Sequence, residues 1–315
     1  MPRHGAAPLV RRMLMELGMF TSGYQYYPLE RAFADARRFG YDYIELWGGR
    51  PHAFAPDLAR GELSGVLALI ERHEMPVRVY TPEHNAYPYN YMLGSELQRA
   101  DALDYLKLCL NMGKALGADH TLISTGHGGY TASRRELRSR LVRCLRELAD
   151  HAESIGHTIL LEALTPYETN VCTTAGELSE TLEKVDSPAL MGMCDVVPPW
   201  VIREPITNYL DQLGGRMAHL HLVDGDGNSD SHLIPGDGCI PLPELLEELE
   251  VRGYRGRATI ELVTSYRNEP SLYAKQALQR VRNVSFFSTG NDFVGISPLK
   301  KPSSFIFLIR FHACW

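Results

Sequence analysis

The chain has 315 residues, of which 44% are hydrophobic and 22% are charged, and this composition is typical of globular proteins. It excludes a disordered, collagen-like or membrane-spanning chain. Lysine and arginine number 32 against 38 aspartate and glutamate residues, which gives a formal net charge of −6. Because binding to a nucleic acid backbone draws on clustered basic side chains, we expect no nucleic-acid partner, and we expect no membrane partner.

The cysteines and the N-terminal segment both indicate a cytoplasmic protein. The six cysteines include no C-x-x-C pair of the kind found in structural zinc sites and redox couples, so they are predicted to be reduced thiols. Residues 1–16 lack the roughly 7 to 15 consecutive apolar residues of a signal sequence. We interpret them as an N-terminal extension.

Short β-rich runs alternate with longer helical patterns along most of the chain. Strands are predicted at residues 17–20, 43–47, 77–80, 120–124, 158–161, 190–194, 217–222 and 258–262. Helices are predicted at residues 28–39, 62–73, 95–116, 133–155, 174–185, 242–252 and 270–282, with a short helical connection near 201–213. Eight strand–helix units within residues 17–283, without a linker, predict one α/β domain, a single (β/α)8 TIM barrel.

Two glycine-containing segments do not match phosphate-binding loops. Residues 18–23 lack the G-x-G-x-x-G spacing of dinucleotide-binding folds, and residues 126–129 do not form a Walker loop. These mismatches favour the barrel over a doubly wound sheet.

Residues 284–315 differ in composition from the rest of the chain. Asp292 is the one acidic residue among them, and residues 305–311 are apolar apart from Arg310. We interpret the segment as an atypical C-terminal extension that packs on the barrel, is loosely ordered, or is an out-of-frame terminus.

Ionisable residues end or interrupt four of the predicted strands. They are Glu162, Asp195, His221 and Glu261. Because the C-terminal ends of barrel strands converge on one mouth, three carboxylates would repel one another there unless a cation neutralised them. Oxygen ligands with one imidazole suit Mn²⁺, Co²⁺, Ni²⁺ or Fe²⁺, and Mg²⁺ is an alternative. Taken singly, each acidic residue could instead be a helix N-cap or a solvated rim group.

Two histidines share one side of the predicted seventh strand, because side chains alternate along a strand. His221 lies nearer the C-terminal end than His219 and is therefore the preferred ligand. His219 is interpreted as a core residue or as a residue behind the ligands.

Four short segments resemble the xylose isomerase-like barrel superfamily, and within it the sugar 3-epimerases. They are E-x-L-T-P-Y-E at 162–168, C-D-V-V at 194–197, H-L-H-L-V-D at 219–224 and I-P-G-D-G at 234–238. The match extends over about residues 18–282. It implies a homo-oligomeric enzyme that acts on a small sugar or an Amadori-type sugar.

The resemblance also implies roles for individual residues. Glu162, Asp195, His221 and Glu261 match the family's ligands to one divalent metal ion, and Glu162 and Glu261 match its acid and base. These two carboxylates would move a proton at C3 while the metal holds the enediolate charge. Glu168 matches a substrate-contacting glutamate.

One departure from the pattern concerns the substrate. Ketose epimerases carry a substrate-binding histidine three residues beyond the metal aspartate, where this chain has Pro198. His232 and Asp224 could supply replacement contacts, although their loop could equally be a turn. Arg50 could bind substrate or brace the barrel rim through a salt bridge.

Three other functions remain as alternatives. The same barrel could carry a sugar isomerase or another ketose 3-epimerase, a DNA-repair endonuclease, or a sugar-binding protein without activity. The net charge of −6 disfavours the endonuclease, and the intact pair of glutamates disfavours the inactive binding protein.

Overall fold

Eight parallel strands close into a barrel in the computed structural model, which describes residues 15–84 and 88–287. Each strand pairs with the next along the chain, and the last pairs with the first. The strands are β1 (Leu17–Phe20), β2 (Tyr43–Gly48), β3 (Val77–Pro82), β4 (His120–Ser124), β5 (Thr158–Glu162), β6 (Leu190–Asp195), β7 (Met217–His221) and β8 (Arg257–Ile260). The predicted single (β/α)8 barrel is confirmed.

Helices connect the strands around the outside. They are α1 (Leu29–Phe39), α2 (Ala55–Asp57), α3 (Leu63–His73), α4 (Glu96–Ala115), α5 (Arg134–Ile155), α6 (Ala175–Val185), α7 (Val197–Val201), α8 (Asn208–Leu213), α9 (Leu242–Val251) and α10 (Pro270–Phe287). Among the described residues, no helix has the combination of length and apolar character needed to cross a bilayer.

Two connecting elements differ from the predictions by several residues. The connection predicted near 201–213 consists of two helices, and the first of them, α7, begins at Val197 with Pro198 and Pro199 in its first turn, where a missing backbone N–H is tolerated. Helix α10 runs to Phe287, past the predicted end of the barrel at 283, since no proline or glycine interrupts it. Residues 1–14 and 288–315, most of both predicted extensions, lie outside the described residues.

The buried apolar residues form two clusters. The larger one joins the outward faces of the strands to the surrounding helices. The smaller one consists of strand residues alone, Val79, Leu122, Leu160 and Met193, and therefore fills the barrel interior. Because side chains alternate along a strand, the residues two positions beyond Leu160 and Met193 also face the interior. These residues are Glu162 and Asp195.

The strand register brings the predicted site residues to one level of the barrel. Asp195 at the end of β6 pairs with His221 at the end of β7. His221 in turn pairs with Thr259 of β8, two residues before Glu261. The carboxyl ends of β5 to β8 therefore carry their ionisable side chains to the same mouth.

We expect the core between strands and helices to account for much of the stability. Leu145 on α5 is completely buried, whereas Leu97 on α4 is 81% exposed. Leu145→Ala removes buried methyl groups and leaves a cavity, and it should lower the free energy of unfolding by about 2–5 kcal/mol in denaturant titrations. Leu97→Ala is the matched control, and equal destabilisation by the two substitutions would contradict this description of the core.

Candidate active site

The four predicted metal ligands come together at the mouth of the barrel. Atom Nδ1 of His221 lies 2.8 Å from Oε2 of Glu261 and 3.5 Å from Oε1 of Glu162. Glu162, Asp195 and His221 each offer a ligand atom within 4.8 Å of the others. All four side chains are largely shielded from solvent. Three carboxylates and one imidazole thus share a single buried space.

The pKa values of these groups reflect their crowding. Burial raises the pKa of Glu162 well above its ordinary range, and the nearby charges of Glu261 and Asp195 raise it further. Burial alone would also raise the pKa of Glu261, but His221 and His232 hold it below its ordinary value. Burial opposes protonation of His221, yet Glu261 and Glu45 hold its pKa well above the usual value. The cluster therefore favours added positive charge.

The donor atoms of this cluster fit a divalent cation. Although Nδ1 of His221 is buried and lies near two carboxylates, it makes no hydrogen bond to any described residue. When that nitrogen loses its proton, it presents a lone pair to the space shared with the carboxylates, as a metal-ligating histidine must. Oxygen atoms of Glu162, Asp195 and Glu261 complete a mixed oxygen and nitrogen ligand set.

Sequence reasoning missed Glu45, a residue of strand β2. Its side chain is completely buried and lies behind His221, with Oε1 located 3.0 Å from the Nε2 atom of that ring. The second oxygen lies 3.0 Å from Nε2 of His219, which is the residue predicted to lie behind the ligands. Burial by itself raises the pKa of Glu45, but the two histidines hold it well below its ordinary value. An acidic residue inside an apolar strand was the signal that could have identified it.

His232 also reaches the site. Its Nε2 lies 2.9 Å from Oδ2 of Asp195 and 3.3 Å from Oε2 of Glu261, so it contacts two of the candidate ligands. Burial opposes its charge, but these carboxylates hold its pKa well above the usual value. His232, on the loop that follows β7, therefore lies beside two of the candidate metal ligands.

Asp224 is hydrogen-bonded to the backbone of its own loop. It is buried, and its carboxylate accepts hydrogen bonds from the backbone N–H groups of Gly225, Gly236 and Ile240, at 2.8–2.9 Å. Its backbone also forms a bridge with Leu233, next to His232. Backbone donors therefore reach both carboxylate oxygens of Asp224 and hold this loop, and its substrate contact stays a prediction.

Arg50 forms a salt bridge at the rim, which was the second of its two predicted roles. Its Nε and Nη2 atoms donate to the two carboxylate oxygens of Asp57, at 2.5 and 2.7 Å. The side chain is 61% exposed. This pairing engages the guanidinium group with α2, and the alternative role of Arg50 in substrate binding stays a prediction.

Glu168 lies in the loop after β5. Its Oε2 accepts a hydrogen bond from the Thr165 hydroxyl at 3.0 Å, and burial together with the charge of Asp230 raises its pKa to about 7. The neighbouring Tyr167 hydroxyl donates to the carbonyl of Asn228, at 2.7 Å, and so links this loop to the loop after β7. Glu168 and His232 are therefore carried by two loops that are in contact.

Comparison with known proteins identifies the family of the chain. Residues 33–284 match the family model described as xylose isomerase-like TIM barrel. The chain is 51% identical over 268 residues to a Shigella flexneri protein named fructoselysine 3-epimerase, a match that covers 85% of this chain and 97% of that protein.

Solved structures show the same fold at lower identity. The crystal structure of 3-keto-D-glucoside 4-epimerase from E. coli superposes with a TM-score of 0.72 at 18% identity, covering 85% of this chain and 99% of that one. A D-psicose 3-epimerase with D-tagatose from Clostridium cellulolyticum H10 gives a TM-score of 0.69 at 19% identity, covering 86% and 99%. From the family match and the extended similarity to the Shigella flexneri protein, the chain belongs to the xylose isomerase-like TIM barrel family.

Proposed function

We propose that this chain is a divalent-metal-dependent sugar epimerase that interconverts fructoselysine and psicoselysine, which differ at C3. The chain is an enzyme of the isomerase class, and relatives in Shigella flexneri and Escherichia coli O157:H7, each 51% identical, are named fructoselysine 3-epimerase. The observation that carries the proposal is the convergence of Glu162 and Glu261 on His221 at the barrel mouth.

Two carboxylates meet the chemical requirement of this reaction. Inverting the carbon next to a carbonyl requires that a proton leave one face and that another proton arrive at the opposite face. We assign Glu162 to one face and Glu261 to the other, so that each accepts a proton in one direction and donates it in the reverse direction. Both side chains are no more than 14% exposed, which limits the access of bulk water to the bound substrate.

Glu162, Asp195, His221 and Glu261 would hold the divalent metal ion. Mn²⁺, Co²⁺, Ni²⁺ and Fe²⁺ suit this ligand set, and Mg²⁺ is an alternative. When bound, such an ion supplies positive charge that stabilises the negative charge developing on substrate oxygens.

The substrate is proposed to be a small Amadori-type sugar, which Glu168 and His232 contact from the two linked loops. His232 lies beside the proposed acid and base through its contact with Glu261. Pro198, which occupies the position of a histidine in ketose epimerases, is buried in helix α7 and offers no side-chain hydrogen-bonding group. We therefore expect recognition to depend more on the loop after β7 than it does in those enzymes.

Metal binding should depend on the ligand carboxylates. We expect Asp195→Asn to weaken Mn²⁺ binding, because it replaces a charged ligand with a neutral one. Loss of a residue that only supports a ligand typically costs about 10- to 100-fold in metal affinity, and loss of a ligand should cost at least as much. Isothermal titration calorimetry would measure the dissociation constant. Asp101→Asn, on the exposed surface of α4, is the matched control. Unchanged affinity in Asp195→Asn would show that the metal binds elsewhere.

Glu261→Gln should remove one proton carrier while nearly preserving side-chain volume. We expect turnover of fructoselysine to fall by about 10²-fold or more, the usual cost of losing a general acid or base. Metal content must be measured on the same sample, because Glu261 is also a proposed ligand. The control is Glu247→Gln on the exposed side of α9. Full turnover with normal metal content would contradict the assigned role.

The two-base mechanism predicts the fate of solvent protons. During turnover in D₂O, deuterium should appear at C3 of psicoselysine, because the proton removed by one carboxylate is not the one delivered by the other. Mass spectrometry and NMR of the product would locate the label. An isomerase that transfers hydride internally would leave the product unlabelled, and the wrong epimer or an aldose product would identify another reaction on the same barrel.

A further inference from the structure

Glu45 is a buried carboxylate that the proposed proton transfer does not use. It lies behind His221, on the side of the ring opposite to the ligand carboxylates, since its contact is to Nε2 and theirs is to Nδ1. His219 contacts its other oxygen at 3.0 Å, and the Thr81 hydroxyl donates to Oε1 at 2.7 Å. Hydrogen bonds from these donors stabilise the Glu45 carboxylate, which is completely buried.

The chemistry of a carboxylate determines which nitrogen of His221 carries the proton. An ionised carboxylate only accepts hydrogen bonds, so the Nε2 atom at 3.0 Å must donate to it. A neutral imidazole with its proton on Nε2 has its lone pair on Nδ1. That lone pair then faces Glu162 and Glu261, where a cation would bind.

We infer that Glu45 is a positioning residue for the metal site, which fixes His221 in the tautomer and ring orientation that present Nδ1 to a divalent cation. The inference deepens the proposed function and relies on it only for the presence of a cation at His221. Carboxylates that accept from the far nitrogen of a ligand histidine typically contribute 10- to 100-fold to metal affinity.

The orientation of Glu45 is itself held by neighbouring strands. His219 lies within 3.2 Å of the Thr259 hydroxyl, which lies 2.9 Å from the Tyr43 hydroxyl. This chain of contacts crosses β7, β8 and β2 below the metal site. It keeps Oε2 of Glu45 directed to His219 and leaves Oε1 directed to His221.

Glu45→Gln tests the inference because glutamine keeps the size of the side chain but adds an N–H donor. If the amide group faces Nε2 of His221, that nitrogen must accept, and the proton moves to Nδ1, where it competes with the cation. We expect the dissociation constant for Mn²⁺, measured by calorimetry, to rise about 10- to 100-fold. Thr81→Val is the control, since it removes one hydrogen bond to Glu45 and preserves the charge, and its affinity should change by less than about tenfold.

A spectroscopic measurement separates positioning from a general effect on folding. In ¹⁵N NMR spectra of the Zn²⁺-loaded wild-type protein, the His221 ring should carry its proton on Nε2, and in folded Glu45→Gln this signal should be lost or shifted. Wild-type protein with the proton on Nδ1 would overturn the inference without any variant. Equal Mn²⁺ affinity in wild type and Glu45→Gln would also overturn it, whereas wild-type protein that binds no Mn²⁺ would overturn the proposed metal site as well.

Discussion

Carboxylates that share a buried space lose hydration and repel one another, and both effects destabilise the folded protein. The residues at the barrel mouth are arranged so that positive charge offsets this destabilisation. Glu162, Asp195 and Glu261 converge there, where His221 lies 2.8 Å from Glu261. His232 adds a second imidazole, 2.9 Å from Asp195. The proposed divalent ion would complete the compensation, so the same charges that destabilise the folded protein would create affinity for that ion.

The site divides its tasks between strands and loops. The proposed metal ligands end or directly follow β5 to β8, and the register of those strands sets their relative positions. The proposed substrate contacts belong to loops that are joined by Tyr167 and Asn228. Asp224 stabilises one of these loops through backbone hydrogen bonds. With the metal ligands on strand ends and the substrate contacts on loops, related barrels could differ in their loops and act on different sugars by one kind of proton transfer.

Polar residues within apolar strands mark more of the candidate site than the four predicted ligands. Glu45 interrupts the apolar run of β2, and this local pattern is the same as the one that marks Glu162 and Glu261. Asp224 and Arg50 were selected for their loop positions. The structure pairs them with backbone amides and with Asp57, because burial and proximity, and not residue type, determine whether a polar group is available to a ligand.

The sequence by itself determined the eight strand–helix units, the closed barrel and the residues able to ligate a cation. These features depend on local patterns, namely the periodicity of apolar residues and the polar residues that break it. Only the tertiary structure decided which nitrogen of His221 faces the carboxylates and which residue lies behind it. Glu45 and His221 are 176 residues apart in the chain, and closure of the barrel brings them to 3.0 Å. A contact at such separation leaves no local signal, because it depends on the register of strands that meet only in the folded barrel.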